Sequence, residues 1–207
     1  MTTEAKAKYL FLFGILNFAF YFSIQSFISH NSLNLLTSLD LKIPLIPEFV
    51  WVYHSFIPVL VLTMLGLIKS KRLFLSTLAS LCIATIILSS FYVFLPAQYP
   101  RELWQTESHT LSEWLLGLTR MIDGPGNCLP SGHNTFAWLL VLFVARSNCV
   151  KQYSWLKPAF FVWGVLISIS TLVLKQHYVF DVISGIALAT LCYYFVQKVI
   201  APTLLEN

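Results

Sequence analysis

The sequence predicts an all-α polytopic membrane protein: a bundle of six transmembrane helices with an amphipathic surface helix in the third loop. Three observations carry this expectation. Of 207 residues, 57% are hydrophobic and only 11% charged, with a mean hydropathy of +0.73, whereas a soluble domain needs about 25% charged residues to solvate its surface. The apolar residues fall in long uncharged runs. Lys and Arg collect in alternate connections. The composition thus excludes an ordinary soluble domain and a disordered chain. The formal charge of +4 is not gathered on one polar face, which argues against nucleic-acid recognition. Residues 1–207 read as a single integral membrane domain.

The runs are Tyr9–Ile28, Val50–Ile68, Leu73–Leu95, Ser131–Ala145, Pro158–Leu174 and Val182–Val196. A spanning helix needs about 20 apolar residues, with roughly 17 as the lower limit. The first three runs meet this. The fourth reaches it only if Pro130 or Arg146 joins the helix, and the sixth only if Asp181 and Gln197–Lys198 join. Tyr9–Ile28 is long for a signal peptide and lacks a small-residue cleavage site. Phe, Leu, Ile and Val dominate the runs without the polar–apolar alternation of a barrel strand, so helices that satisfy their own backbone are expected.

Six spans place both termini on one side with the Lys69–Arg72 and Arg146–Lys157 connections. That side holds Lys6, Lys8, Lys69, Lys71, Arg72, Arg146, Lys151, Lys157 and Lys198, against Glu4 and Glu206. The other holds Lys42, Arg101, Arg120 and Lys175 against Asp40, Glu48, Glu102, Glu107, Glu113, Asp123 and Asp181. The excess of Lys and Arg marks the first side as cytoplasmic. All five histidines, His30, His54, His109, His133 and His177, fall on or near the opposite face, where side chains titrating near neutrality suit proton transfer. For His30 and His54 the plainer reading is tolerance of an interface. The cysteines form no CxxC and no pair within one loop, so neither zinc nor a disulfide is indicated.

The longest connection runs from Pro96 to Pro130, and loops of this length are usually functional or carry structure of their own. Leu111, Trp114, Leu115, Leu118, Met121 and Ile122 follow helical spacing. Thr110 and Glu113 form a capping box that starts the helix at about Leu111. An amphipathic helix over Leu111–Ile122 at the membrane surface follows, either packed on the bundle or forming a lid. Next comes Asp123-Gly-Pro-Gly-Asn-Cys-Leu-Pro-Ser-Gly-His133, a tight turn and then an abrupt helix start at Pro130. A helix N-terminus favours an anion such as phosphate, and His133 in its first turn is suited to give a proton to a leaving group.

In the fifth loop, His177 and Asp181 stand four apart and share a face if both open the last helix. A carboxylate on one ring nitrogen frees the other to attack an electrophile. Taken alone, the pair is equally open to a structural reading. Asp181 at a membrane boundary is costly unless paired.

Together these residues resemble the type 2 phosphatidic acid phosphatase superfamily of integral membrane lipid phosphatases and phosphotransferases. The family's Pro-Ser-Gly-His motif is complete at Pro130, Ser131, Gly132 and His133. Its Ser-Arg, five residues, His, three residues, Asp motif keeps Ser170, His177 and Asp181 but has Thr171 at the arginine. Its Lys, six residues, Arg-Pro motif keeps only Arg101, with Phe94 at the lysine and Glu102 at the proline. The resemblance implies that His177 attacks phosphorus to form a phosphohistidine, oriented by Asp181. His133 would protonate the departing oxygen and then activate the water or alcohol that resolves the intermediate. Ser131, the Gly132 amide and Arg101 would hold phosphoryl oxygens, and no metal or other cofactor takes part. Lys175 is a candidate replacement for a lost cation, with a snorkelling anchor as the alternative; Arg120 is a second candidate. The expected partners are a lipid phosphate and the bilayer, and the expected site faces the periplasm, lumen or exterior.

Retention of His, His and Asp without the full phosphatase set is also similar to sphingomyelin synthase and inositol phosphorylceramide synthase, so transfer to a lipid alcohol stands beside hydrolysis. Three further classes are weaker. A transporter would line a path with intramembrane polar groups, but here they gather at one face. A metal site from His133, His177 and Asp181 lacks any supporting signature. An inactive scaffold conflicts with the intact His–His–Asp set.

Overall fold

Long apolar segments close their backbone hydrogen bonds locally, and five do so over bilayer-spanning lengths. The structure, a computed structural model, describes residues 1–25, 32–105, 107–147 and 153–204. The five are α1 (Thr3–Gln25), α3 (Pro47–Leu67), α4 (Lys71–Phe94), α7 (Leu156–Val173) and α8 (Val179–Thr203). Between them lie the short α2 (Ser38–Lys42), α5 (Leu111–Ile122) and α6 (Gly132–Arg146). The described residues contain no strand, only an isolated bridge between Leu33 and Ala97.

Local sequence explains the irregularities. The α-helical part of α3 pauses at Ser55, because Pro58 three residues on has no N–H to offer the preceding turn; the Ser55 hydroxyl turns back to the Val52 carbonyl at 2.6 Å. α8 opens at Val179, earlier than the apolar run, because Asp181 accepts from the Tyr178 N–H at 3.0 Å and caps the first turn. It continues past the run through a π turn, Val196–Ile200, that absorbs Gln197 and Lys198. In α5 the expected capping box is present, with Thr110 Oγ1 accepting from the Glu113 N–H at 3.2 Å and Glu113 Oε2 from the Thr110 N–H at 2.8 Å. α5 buries Leu116 and Thr119 against the start of α3, while Leu111, Trp114, Met121 and Ile122 face outward.

α6 differs from the five long helices. Arg146 joins it and Pro130 does not, so its 15 residues rise only about 22 Å, short of the roughly 30 Å hydrocarbon layer. It packs against α3, α4, α7 and α8, and Leu139, Leu140 and Phe143 are fully buried with Phe74, Leu81 and Ile167. α1 is its opposite: Phe11, Leu12 and Phe20 are more than half exposed, as lipid-facing side chains would be. α6 is the axis of the bundle and α1 its rim.

One close approach sets the axis. At Gly185 of α8, an added Cβ would lie 2.7 Å from the Ser131 carbonyl oxygen and 3.2 Å from Asn134 Cβ. The missing side chain lets α8 dock on the start of α6, where the Ser131 N–H donates to the Asp181 carbonyl at 3.0 Å. Thr135 Oγ1 sits 2.8 Å from the Ser131 carbonyl and 3.2 Å from that of Gly185. Gly185→Val therefore overpacks a backbone contact, and about 1–3 kcal/mol of destabilisation is expected. Gly117, with open space around it, tolerates Ala with no loss. Thermal unfolding of the two variants in detergent checks the contrast.

Candidate active site

The chain between α7 and α8 reverses within five residues. The Gln176 and His177 N–H groups both donate to the Thr171 carbonyl, at 3.0 and 3.2 Å. Lys175 takes a left-handed backbone conformation, φ 57°, a cost for a non-glycine residue. Its buried side chain holds the turn in place: Nζ donates to the Asp40 carbonyl at 2.7 Å and the Ile43 carbonyl at 2.5 Å, and stands 4.4 Å from the centre of the Trp104 ring. Burial pushes the Lys175 pKa down, and nearby Asp40 opposes this. Asp40 also accepts from the Val179 N–H at 2.8 Å, so α2 braces the first turn of α8.

This turn delivers His177. Its Nδ1 lies 3.1 Å from the Cys128 carbonyl and 3.4 Å from Asp181 Oδ2. A carbonyl only accepts, so Nδ1 carries the proton and Nε2 keeps its lone pair. The imidazole is thereby fixed in the tautomer a nucleophile needs. Asp181 is fully buried, and its Oδ1 has no hydrogen-bond partner. The Cys128 carbonyl, the nearer of the two acceptors, was not foreseeable from sequence, because no side chain signals it.

His133 faces His177 with ring centres 6.1 Å apart. It sits on the first turn of α6, where Ser131 Oγ accepts from the Asn134 N–H at 3.4 Å and side-chain amide at 3.0 Å. The Asn134 amide also donates to Thr171 Oγ1 at 3.1 Å. Thr171, standing where the family has arginine, thus joins α7 to α6. On the cleft side, His133 stacks on Tyr53 at 4.3 Å and meets Phe56 edge-on at 5.2 Å. Its Nδ1 is 3.4 Å from the Tyr53 hydroxyl, which lies 3.2 Å from Asp123 Oδ2. Tyr21 donates to Asp123 Oδ1. Sequence reasoning missed Tyr53 and Tyr21, which look like ordinary members of apolar runs, and counted Asp123 only as a loop charge.

The remaining expected residues divide. Arg101 is buried beside Asp123, donating to its carbonyl, with a guanidinium nitrogen 3.8 Å from Oδ2; its Nε has no partner. Gly132 lines the cleft with His133 and His177. Ser131 does not: it is fully buried, its N–H engaged by the Asp181 carbonyl and its Oγ capping α6. Lys175 also departs from the expectation, because its ammonium is held by carbonyls of the 40–43 segment, away from the cleft lining. Arg120 donates to the Trp104 carbonyl at 2.7 Å and the Leu174 carbonyl at 3.1 Å; burial and neighbouring Arg101 lower its pKa to about 10. His54 binds Thr119 Oγ1 at 2.8 Å, tying α3 to α5, and His109 pairs with exposed Glu107 at 2.7 Å. His30 lies outside the described residues.

The only group of metal-ligand type among the described residues is Cys128, His177 and Asp181, with ligand atoms within 4.8 Å of one another. The donor set fits a metal poorly. The Cys128 thiol lies 3.1 Å from the Pro125 carbonyl and burial pushes its pKa up, whereas a thiolate is required.

The two histidines stand at the polar end of a largely apolar cleft of about 390 Å³ between α1, α3 and α4, walled by Leu10, Phe13, Phe18, Ile57, Leu60 and Leu88. An all-α bundle of apolar, span-length helices with a His–Asp pair facing a second histidine at one end defines an integral membrane protein with a buried polar site. The chain belongs to the PAP2 superfamily, whose sequence profile matches residues 35–195, a stretch containing every residue of the His–His–Asp set. It is similar to the lipid A 1-phosphatase of Helicobacter pylori strain J99 / ATCC 700824, 30% identical over 151 residues, covering 73% of this chain and 71% of the relative. The lipid A 1-phosphatase of Helicobacter pylori strain ATCC 700392 / 26695 is 27% identical over 154 residues, with the same coverage of 73% and 71%.

Two substitutions separate chemistry from scaffolding. Asp181→Ala removes both a cap and a histidine partner, so about 1 kcal/mol of stability and on the order of 10²-fold or more in turnover are expected to go together. Lys175→Met leaves two buried carbonyls without a donor, and is expected to lower the melting temperature while leaving KM for a phosphate ester unchanged. A raised KM without loss of stability would return Lys175 to the phosphate site.

Proposed function

We propose that the protein is a membrane lipid phosphatase that removes phosphate from a lipid phosphate monoester or diphosphate through a phosphohistidine on His177. The observation that carries this is the placement of two facing histidines, one with its tautomer fixed by Cys128 and Asp181, at the polar end of an apolar cleft. Membership of the PAP2 superfamily and the similarity to lipid A 1-phosphatases support it.

In the proposed reaction, His177 Nε2 attacks phosphorus as the bond to the lipid oxygen breaks, and Nδ1–H stays against the Cys128 carbonyl and Asp181. Protonated His133 gives its Nε2 proton to the leaving oxygen. Neutral His133 then takes a proton from water, whose oxygen attacks phosphorus and expels His177 as neutral imidazole. Phosphate leaves and His133 is again protonated. Phosphoryl transfer depends chiefly on positioning and charge stabilisation. The first-turn amides of α6 supply that charge, and Arg101, paired with Asp123, adds to it from outside the cleft lining. Lipid chains occupy the cleft beside α1, so the ester bond meets the histidines at the membrane boundary.

In this reading α6 completes a six-helix bundle, the outward apolar face of α5 rests in the membrane surface, and residues 1–207 form one membrane domain. The termini are cytoplasmic and the site faces the periplasm, lumen or exterior. Water is the acceptor; a lipid alcohol in its place gives the transferase reading. Purified protein is expected to release phosphate from lipid phosphates in the presence of EDTA and to be inhibited by vanadate. His177→Ala should abolish turnover while the protein stays folded. Mass spectrometry of products from a lipid panel, with and without diacylglycerol, separates the acceptors: free phosphate supports hydrolysis, and a new head-grouped lipid supports transfer. Full activity of His177→Ala, or loss in EDTA reversed by zinc, would overturn the mechanism.

A further inference from the structure

We propose that Tyr53 and Asp123 form a positioning relay for His133: the tyrosine hydroxyl, held by the carboxylate, fixes the proton on His133 Nδ1 and leaves Nε2 as the working atom. The proposal rests on the phosphatase reading for its catalytic meaning, but the tautomer itself is independent of that reading.

The argument is a count of donors. The Tyr53 hydroxyl has one proton and two candidate neighbours, Asp123 Oδ2 at 3.2 Å and His133 Nδ1 at 3.4 Å. The carboxylate can only accept, and a hydrogen bond to a charged acceptor is the stronger of the two. The proton therefore points to Asp123, and the hydroxyl oxygen presents a lone pair to His133. Nδ1 must then carry a proton, in the neutral and charged imidazole alike. The chain of donation runs from His133 Nδ1–H to the Tyr53 oxygen, and from the Tyr53 O–H to Asp123.

The rest of the arrangement limits alternatives. The imidazole packs on the rings of Tyr53, at 4.3 Å and 33°, and Phe56, at 5.2 Å and 61°. Asp123 is held from three sides, by the Tyr21 hydroxyl on Oδ1, by Arg101, and through its own N–H to the Thr119 carbonyl at 2.8 Å. Tyr53 is 4% exposed, packed with Val50, Leu116 and Leu174. It stands on α3, a helix that contributes nothing to the three motifs. A tyrosine at the ring nitrogen and an acid behind its hydroxyl thus come from separate elements to His133 Nδ1. A histidine that must act first as acid and then as base through one nitrogen gains from having the other nitrogen's proton fixed.

Tyr53→Phe keeps the ring and removes the hydroxyl. With the full chain in detergent and short-chain phosphatidic acid as probe, kcat is expected to fall ten- to a hundredfold with KM within about twofold, and the pH profile of kcat/KM to shift by about one unit. With 4-nitrophenyl phosphate, whose leaving group needs no proton, the burst of nitrophenolate is expected to stay near wild type. Asp123→Asn should move the pH profile in the same sense. Equal losses on both esters with an unmoved pH profile would reduce Tyr53 to packing and overturn the relay. Separately, ¹⁵N NMR of histidine-labelled wild-type protein is expected to show neutral His133 as the Nδ1–H tautomer, and Tyr53→Phe to lose that preference. An Nε2–H tautomer in the wild type overturns the relay even if Tyr53→Phe fails to fold. If wild-type protein hydrolyses neither ester yet shows the Nδ1–H tautomer, the phosphatase reading fails and the positioning stands.

Discussion

The contact on which the rest depends is the seat of α8 on the start of α6. The Ser131 N–H meets the Asp181 carbonyl, and Gly185 admits the Ser131 carbonyl at a distance no side chain would allow. This one junction brings the Pro-Ser-Gly-His turn and the His-x-x-x-Asp turn together, though they lie some forty residues apart in sequence. It also occupies Ser131, whose N–H donates to the Asp181 carbonyl and whose Oγ accepts from Asn134, outside the cleft lining. Each histidine then gets its geometry from a backbone decision: His133 from the first turn of α6, His177 from the reversal that Lys175 stabilises.

Around that junction the helices divide the work by burial. α6 is too short to cross a bilayer unaided, and its buried faces touch protein on several sides, so its ends need not reach headgroups as a lipid-facing helix must. α1 carries no motif and is mostly exposed apolar surface, yet it forms one wall of the cleft and sends Tyr21 to Asp123. The same placement of a greasy rim beside a polar end serves membrane residence and, in the proposed reading, access for a lipid ester from the side.

Much of this was legible in the sequence, and the reasons are physical. The apolar runs fixed the long helices because lipid permits no unsatisfied backbone. Thr110 and Glu113 marked the start of α5, because a capping box is local chemistry. His177 and Asp181 stood out by their four-residue spacing, and His133 by the Pro-Ser-Gly helix start before it. The ends of α8 were less legible, since Asp181, Gln197 and Lys198 look like boundary residues until their partners in the fold are known. Tyr53, Tyr21 and the Cys128 carbonyl were invisible: two are aromatic residues within apolar runs, and the third is backbone. Lys175 was misleading for the opposite reason, because a cation two residues before a motif histidine suggests phosphate, while its side chain turns back to two carbonyls at Asp40 and Ile43.

The loss of motif cations has a consequence for how such a site binds. Thr171 and Phe94 stand where the resemblance implies an arginine and a lysine; Thr171 ties helices together, and Arg101 is paired with Asp123. On the proposed reading the charge offered to a phosphate is therefore modest: the first-turn amides of α6, and one guanidinium that is shared with a carboxylate and lies outside the cleft lining. Electrostatic attraction alone would hold a phosphate ester weakly there. The cleft offers what the charges do not: apolar walls, against which, on the proposed reading, acyl chains are buried at about 0.8 kcal/mol per CH₂. On the proposed reading, affinity comes from the lipid tail and the polar end serves orientation and proton transfer. That division accounts for a site able to keep its two histidines while losing most of its positive charge.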